Sequence, residues 1–280
     1  MITPNNIQPP PSSSKNINLA GKNKHNVVPT GNATAAGTTA RPGTVDVIST
    51  GTDGGKIYLG WVDKTKLAFF SRAGDRVLNP EKYSKYGAKG AKKDNANRPA
   101  QAKRVPPVNE LLLRPNVDKL AGEIVIKYIS DNSIAQPKAF ALDSTLFGND
   151  DISFEMKLKV HHAMSAFDLK REHSGQAIRN EIFDHIGTRD NPSIPNAADF
   201  KNCMETVNFD GGVVTKMMSQ MMWRSVNRNI DPEALDEIKE YCRENGHYDT
   251  MVAFGEGVIE KVLKIREEKG NKGVRVEHGW

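Results

Sequence analysis

The sequence predicts an α+β fold, with strands gathered before about position 162, helices after it, and an N-terminal arm outside both. Three observations predict it. Residues 1–45 are rich in Asn, Pro, Ser, Thr, Gly and Ala and poor in aromatics, a composition that buries too little surface to offset the entropy of ordering. Ile152, Phe154, Met156, Leu158 and Val160 alternate strictly with Ser153, Glu155, Lys157 and Lys159, the period of a half-buried strand. From Ser165 onward apolar residues recur at steps of three and four, as on a helix face.

In chain order, residues 1–45 form a disordered arm whose Pro9-Pro10-Pro11 run is an extended spacer. Residues 46–81 form a short β-rich segment. Its runs Val45–Ile48, Lys56–Trp61, Lys66–Phe70 and Arg76–Leu78 are separated by turn signals at Gly51, Gly54-Gly55, Asp63-Lys64 and Gly74-Asp75. Thr50 and Ile57 stand where a phosphate loop carries glycine and Ser or Thr, so Thr50–Lys56 reads as a hairpin turn. Residues 82–107 form a basic flexible insertion closed by Pro106-Pro107. A second β segment, 108–162, holds strands at Glu123–Ser130, Lys138–Leu142 and Ile152–Val160.

Residues 163–270 form a bundle of about five helices packed with the β segments as one domain, and 271–280 form a tail. Ser165 and Asp168 have capping-box spacing at the start of this region. Ile178, Ile182 and Ile186 mark a helix that Gly187 stops. Asn196 caps a second, which buries Phe200, Cys203, Met204 and Val207. The third carries Val214, Met218, Met221, Met222 and Val226. Asp231 and Pro232 open the fourth, which buries Leu235, Ile238, Tyr241 and Cys242 and ends at Gly246. The fifth runs from about Asp249 to Lys269.

The functional signal is the distribution of charge. Between Lys82 and Arg104 eight cations stand against Asp94 alone, and residues 1–45 add four cations with no anion. The two stretches carry +11 while the whole chain carries +5, so the remainder is acidic at −6. A glycine-rich basic segment beside an acidic body suits a polyanion, because phosphate contacts release counterions without demanding a rigid surface. The expected contacts are Lys82, Lys85, Lys89, Lys92, Lys93, Arg98, Lys103 and Arg104, with Tyr83 and Tyr86 available to stack on unpaired bases. This points to a non-enzymatic, nucleic-acid-associated structural or assembly protein, similar in general plan to viral coat and nucleocapsid proteins. Self-association completes that reading. In the Met217-Met218, Met221-Met222, Trp223 run, Met217 and Trp223 project away from the core-facing stripe and form an interface.

Two other readings compete. Asp143, Glu155 and Lys157 have the residue types that hold Mg²⁺ and steady an attacking water. Over some 15 residues they loosely resemble the PD-(D/E)xK nuclease superfamily, although Leu142 occupies the position of its usual proline. The resemblance implies metal-dependent phosphodiester cleavage. The second alternative is a protein-binding adaptor whose arm is a spacer. Histidine spacing offers no metal site: His161-His162 are adjacent, and Glu181 with His185 lacks further ligands. No cofactor is expected. Two cysteines, Cys203 and Cys242, read as buried hydrophobes and not as a disulfide. With no apolar run of secretory or membrane-spanning character, the expected location is cytoplasmic or particle-associated.

Overall fold

The computed structural model describes residues 41–87, 109–142, 152–170, 173, 176–187, 195–227 and 229–268. Arm residues 1–40, the tract 88–108, Asp143 and the tail 271–280 lie outside them. Among the described residues the class is α+β, with one three-stranded sheet and ten helices. The bundle of about five was too few, because helices also fill the region before position 163.

Strands β1 (Thr44–Thr50) and β2 (Lys56–Asp63) form the expected antiparallel hairpin. Its turn closes through Gly51 N–H on Gly55 O at 2.8 Å, with Gly54 at φ +77°, a conformation glycine adopts without Cβ strain. β3 (Glu110–Leu112) joins β1 in parallel, giving the order β2-β1-β3. Alternation along β1 sends Val45, Val47 and Ser49 inward. Ser49 Oγ donates to Arg114 O at 3.1 Å and accepts from Val117 N–H at 3.3 Å, so this buried hydroxyl is satisfied.

Between β2 and β3 lie α1 (Lys64–Phe70), α2 (Arg72–Leu78) and α3 (Pro80–Gly87). The strands expected at Lys66–Phe70 and Arg76–Leu78 are therefore helices. The turn signals within them serve as caps and packing points. Asp63 accepts from Lys66 N–H at 3.0 Å as the N-cap of α1. Gly74 lies inside α2 so close to α1 that a Cβ there would meet Leu67 Cγ at 2.5 Å.

The second β segment is also corrected. Glu123–Ser130 belongs to α4 (Lys119–Asp131), capped by Asp118, and Ile152–Val160 enters α5 (Phe154–Ala166), capped by Ser153. Lys138–Leu142 has no strand pairing. α4 packs against β2 on one side and α5 on another, which is why Ile124, Val125, Ile126 and Ile129 are all buried. In α5, Phe154 and Leu158 are one helical turn apart, and Val160, Ala163 and Met164 widen the buried face. Its charges alternate because Glu155 reaches Lys159 one turn on, while Lys157 reaches Glu181 on a neighbouring helix.

Ser165 and Asp168 stand at the end of α5, not at a helix start. Asp168 N–H donates to Ser165 O at 3.0 Å, and Asp168 has φ +49°. The chain then pairs with the α1–α2 corner, where Arg72 N–H donates to Asp168 O and Lys170 N–H to Phe70 O, each at 2.9 Å.

Beyond this point the expected helices form: α6 (Gln176–Ile186), α7 (Ala197–Thr206), α8 (Gly211–Val226), α9 (Pro232–Glu244) and α10 (Tyr248–Glu268). Ile178, Ile182 and Ile186 are buried, and Gly187 follows at φ +86°. Asn196 and Asp199 cap α7 reciprocally, while Asp231 and Pro232 open α9. Cys203 and Cys242 are buried free thiols, and burial pushes them up to about 12 and about 11.

Met217 does not project outward as expected. Met217 is 0% exposed, as are Met218, Met221 and Met222, and Trp223 packs half-buried against the core. α8 contacts α6, α7 and α10, so apolar residues on several of its sides find partners within the chain.

Candidate functional site

The best-formed polar centre joins α5, α6 and α8 at Asp210. That residue precedes Gly211-Gly212 and accepts from the amides of Gly212 and Val213 at 3.0 and 3.2 Å, as a helix N-cap does. Arg179, one residue after the buried Ile178 on α6, clamps the same carboxylate through Nε at 2.8 Å and Nη2 at 3.1 Å. His161 Nε2 lies 2.9 Å from Asp210 Oδ2. Gly212 lets Arg179 reach the carboxylate, since a Cβ there would lie 2.1 Å from Arg179 Nη2 and push that end of the side chain aside.

The electrostatics follow from the donors. Burial raises the Asp210 carboxyl, but hydrogen bonds from Arg179, His161 and the Val213 amide outweigh it and hold the group far below the usual carboxylate range. Burial lowers His161, more than its bond to Asp210 raises it. Near neutral pH the pair is thus an ionised carboxylate and a neutral imidazole whose Nε2–H donates. Phe209 stands beside His161 and His162, with ring centroids 5.7 and 5.5 Å away.

A cavity of about 350 Å³ opens beside this centre, lined by His161, Ser165, Asp168, Phe209 and Asp210 among others. Its two carboxylates are already engaged. Asp168 pairs with Arg76 at 3.3 Å and Arg72 at 3.9 Å. Asp210 accepts five hydrogen bonds, which fills a carboxylate's roughly four acceptor sites. Such a carboxylate fixes three helices and has no lone pair left to act as a base. Among the described residues no group of three His, Cys, Asp or Glu is placed to hold a metal ion. His185 instead stacks on Phe154, with centroids 4.0 Å apart, and faces Asp199 at 3.2 Å, while Glu181 pairs with Lys157.

Glu155 and Lys157 do not form the nuclease arrangement. They sit two residues apart on a helix, which turns them about 200° from one another. Glu155 pairs with Lys159 at 2.6 Å and Lys157 with Glu181 at 3.1 Å; Asp143 lies outside the described residues.

Of the basic tract, Lys82 and Tyr83 are held on α3. Asp75 accepts from Tyr83 Oη at 2.7 Å, Asn79 Nδ2 at 2.6 Å and Lys82 Nζ at 3.2 Å. Lys85 and Tyr86 fall in the last turn of the same helix. Lys89, Lys92, Lys93, Arg98, Lys103 and Arg104 lie outside the described residues. The chain enters that stretch from α3 and leaves it into β3. The sequence reading missed Asp210 and Arg179, although an Asp just before Gly-Gly and an apolar helical run is an N-cap signal.

Comparison with known protein families, with curated proteins and with solved structures finds no match. Among the described residues no helix is long and apolar enough to cross a membrane.

Proposed function

We propose that this chain is a non-enzymatic binding and assembly protein that holds a polyanion, nucleic acid foremost, through the tract from Lys82 to Arg104. The observation that carries the reading is the segregation of charge. Residues 88–108 alone hold six cations against Asp94. In the described body, by contrast, cation after cation is matched to a carboxylate, as in Lys157–Glu181, Arg179–Asp210 and Lys201–Glu237. Cations gathered in one stretch with a single anion draw phosphates by releasing their counterions. The tract is also tethered at both ends, by α3 with its Asp75 contacts and by β3. That limits its reach and keeps a captured strand beside the folded body.

Saturation of Asp210 supports binding over catalysis, since the most perturbed carboxylate among the described residues is spent on joining helices. The test is to incubate the protein with labelled single- and double-stranded nucleic acid, with and without Mg²⁺, and to run native and denaturing gels. A salt-sensitive native shift with intact strands is expected. Cleavage that requires Mg²⁺ would favour a nuclease, and absence of any shift would overturn the polyanion reading.

A further inference from the structure

Among the described residues the outward face of the sheet carries large apolar side chains that stay partly exposed. Tyr58 is 46% exposed, Trp61 44% and Leu112 63%. Strand register places them together. Trp61 pairs with Asp46, which pairs with Glu110; Tyr58 pairs with Ile48, which pairs with Leu112. An irregularity between Val47 and Ile48, with Gly60 at φ +145° opposite, lets Tyr58 and Trp61 both face outward although they are three residues apart. Isolated exposed apolar residues need no explanation, but an aromatic pair with a leucine on one sheet face is a contiguous patch of the kind that marks a partner surface.

Two observations say what covers it. The first is charge. Carboxylates Asp46 and Glu110 lie in the same rung as Trp61, and the Tyr58 hydroxyl reaches Asp46 at 3.4 Å. Glu110 is already paired with Lys56 at 3.4 Å in a solvent-exposed ion pair, so the anionic group offered beside the aromatic surface is Asp46. The second is the chain's own Arg41-Pro42. The Arg41 guanidinium sits 4.8 Å over the centre of the Trp61 ring, a cation–π contact. One arginine beside a proline thus already rests on one end of the patch, while Tyr58 and Leu112 remain open at the other.

We propose that this face binds an extended, arginine-containing proline-rich peptide of a partner protein. Its prolines lie on Tyr58 and Leu112, beside Trp61 and the Arg41 that covers it, and its cation on Asp46. A polyproline II helix suits the site because it is extended before binding and so loses little entropy when it settles on aromatic side chains. The cation fixes its direction. Binding needs no contact with the basic tract, so this site stands apart from the polyanion reading.

The probe is a fluorescently labelled synthetic peptide of repeated Arg-Pro-Pro, titrated with the full chain in buffer free of polyanion and read by fluorescence anisotropy. A control peptide carries glycine in place of every proline, keeping the charge and losing the pre-formed helix. Saturable binding of the proline peptide is expected, at least tenfold tighter than the glycine control. Trp61→Ala and Tyr58→Ala should each weaken it tenfold or more with only a modest shift of the melting curve, since nearly half of each residue is exposed. Asp46→Asn should weaken it severalfold and reduce its salt dependence. Equal affinity for the glycine peptide would reduce the site to charge alone and overturn the proposal. Unaltered binding by Trp61→Ala would also overturn it. So would a concentration-dependent dimer lost in Trp61→Ala with no peptide binding, which would assign the face to a second copy.

Discussion

Asp210 decides most at the scale of single residues. Asp210→Asn removes the charge that holds the Arg179 fork and exchanges an acceptor for a donor toward His161. With Arg179 about 30% exposed, solvent screening moderates the loss, which should be about 2 kcal/mol, read as a lowered urea midpoint at unchanged slope. Gly212→Ala should approach that loss despite alanine's better helix propensity, because the new Cβ displaces Arg179 Nη2 from the carboxylate. The pH dependence follows from two depressed groups. His161 titrates lower in the folded chain than in the unfolded one, near 6.5, so its stabilisation is full above that value and falls away below it. Asp210 behaves likewise below about 4. Both groups bind more protons unfolded, so stability should drop continuously on acidification from pH 7 to pH 3, in chemical melts at fixed ionic strength. In Asp210→Asn the portion of the drop below about pH 4 should shrink.

At the scale of elements, the methionine helix gives the clearest expectation. Met217 is fully buried where α8 crosses its neighbours, so Met217→Ser should cost several kcal/mol, in the range for truncating core side chains, and leave the oligomeric state unchanged. Light scattering beside a melting curve distinguishes this from loss of an interface. The same element shows which parts of the fold could be read from sequence. α6, α7 and α9 were legible because each has one buried stripe and at least one end signal: Ile178, Ile182 and Ile186 before Gly187, Asn196 before Phe200 and Cys203, and Asp231-Pro232 before Ile238. α4 and α5 were not, because helices covered on two or more sides lose that stripe. Ile124, Val125 and Ile126 then form a continuous apolar run, and Phe154 to Val160 imitates a strand's alternation. α8 failed in the opposite sense, since its wide apolar surface suggested an outside partner and found an inside one. In the candidate site, Asp210 was readable as an N-cap. Its partners were not, because His161 and Arg179 come from helices 49 and 31 residues away in sequence.

At the scale of the whole molecule, residues 88–108, between α3 and β3 in the sequence, hold six cations against Asp94, while the chain outside residues 1–45 and 82–104 carries −6. The two proposed surfaces have opposite chemistry, one for cations with proline and one for phosphates. If the tract binds polyanion, its affinity is electrostatic and uniform across sequences, and each neutralised phosphate adds about 0.7 to the log–log salt slope on single strands. The decisive measurement is that slope, taken by anisotropy with a labelled single strand, for the native chain and for the triple variant Lys89→Gln, Lys92→Gln, Lys93→Gln. The account predicts weaker binding by the variant to every sequence and a slope flatter by roughly 2. An identical slope in the two proteins would show these lysines to be bystanders and contradict it.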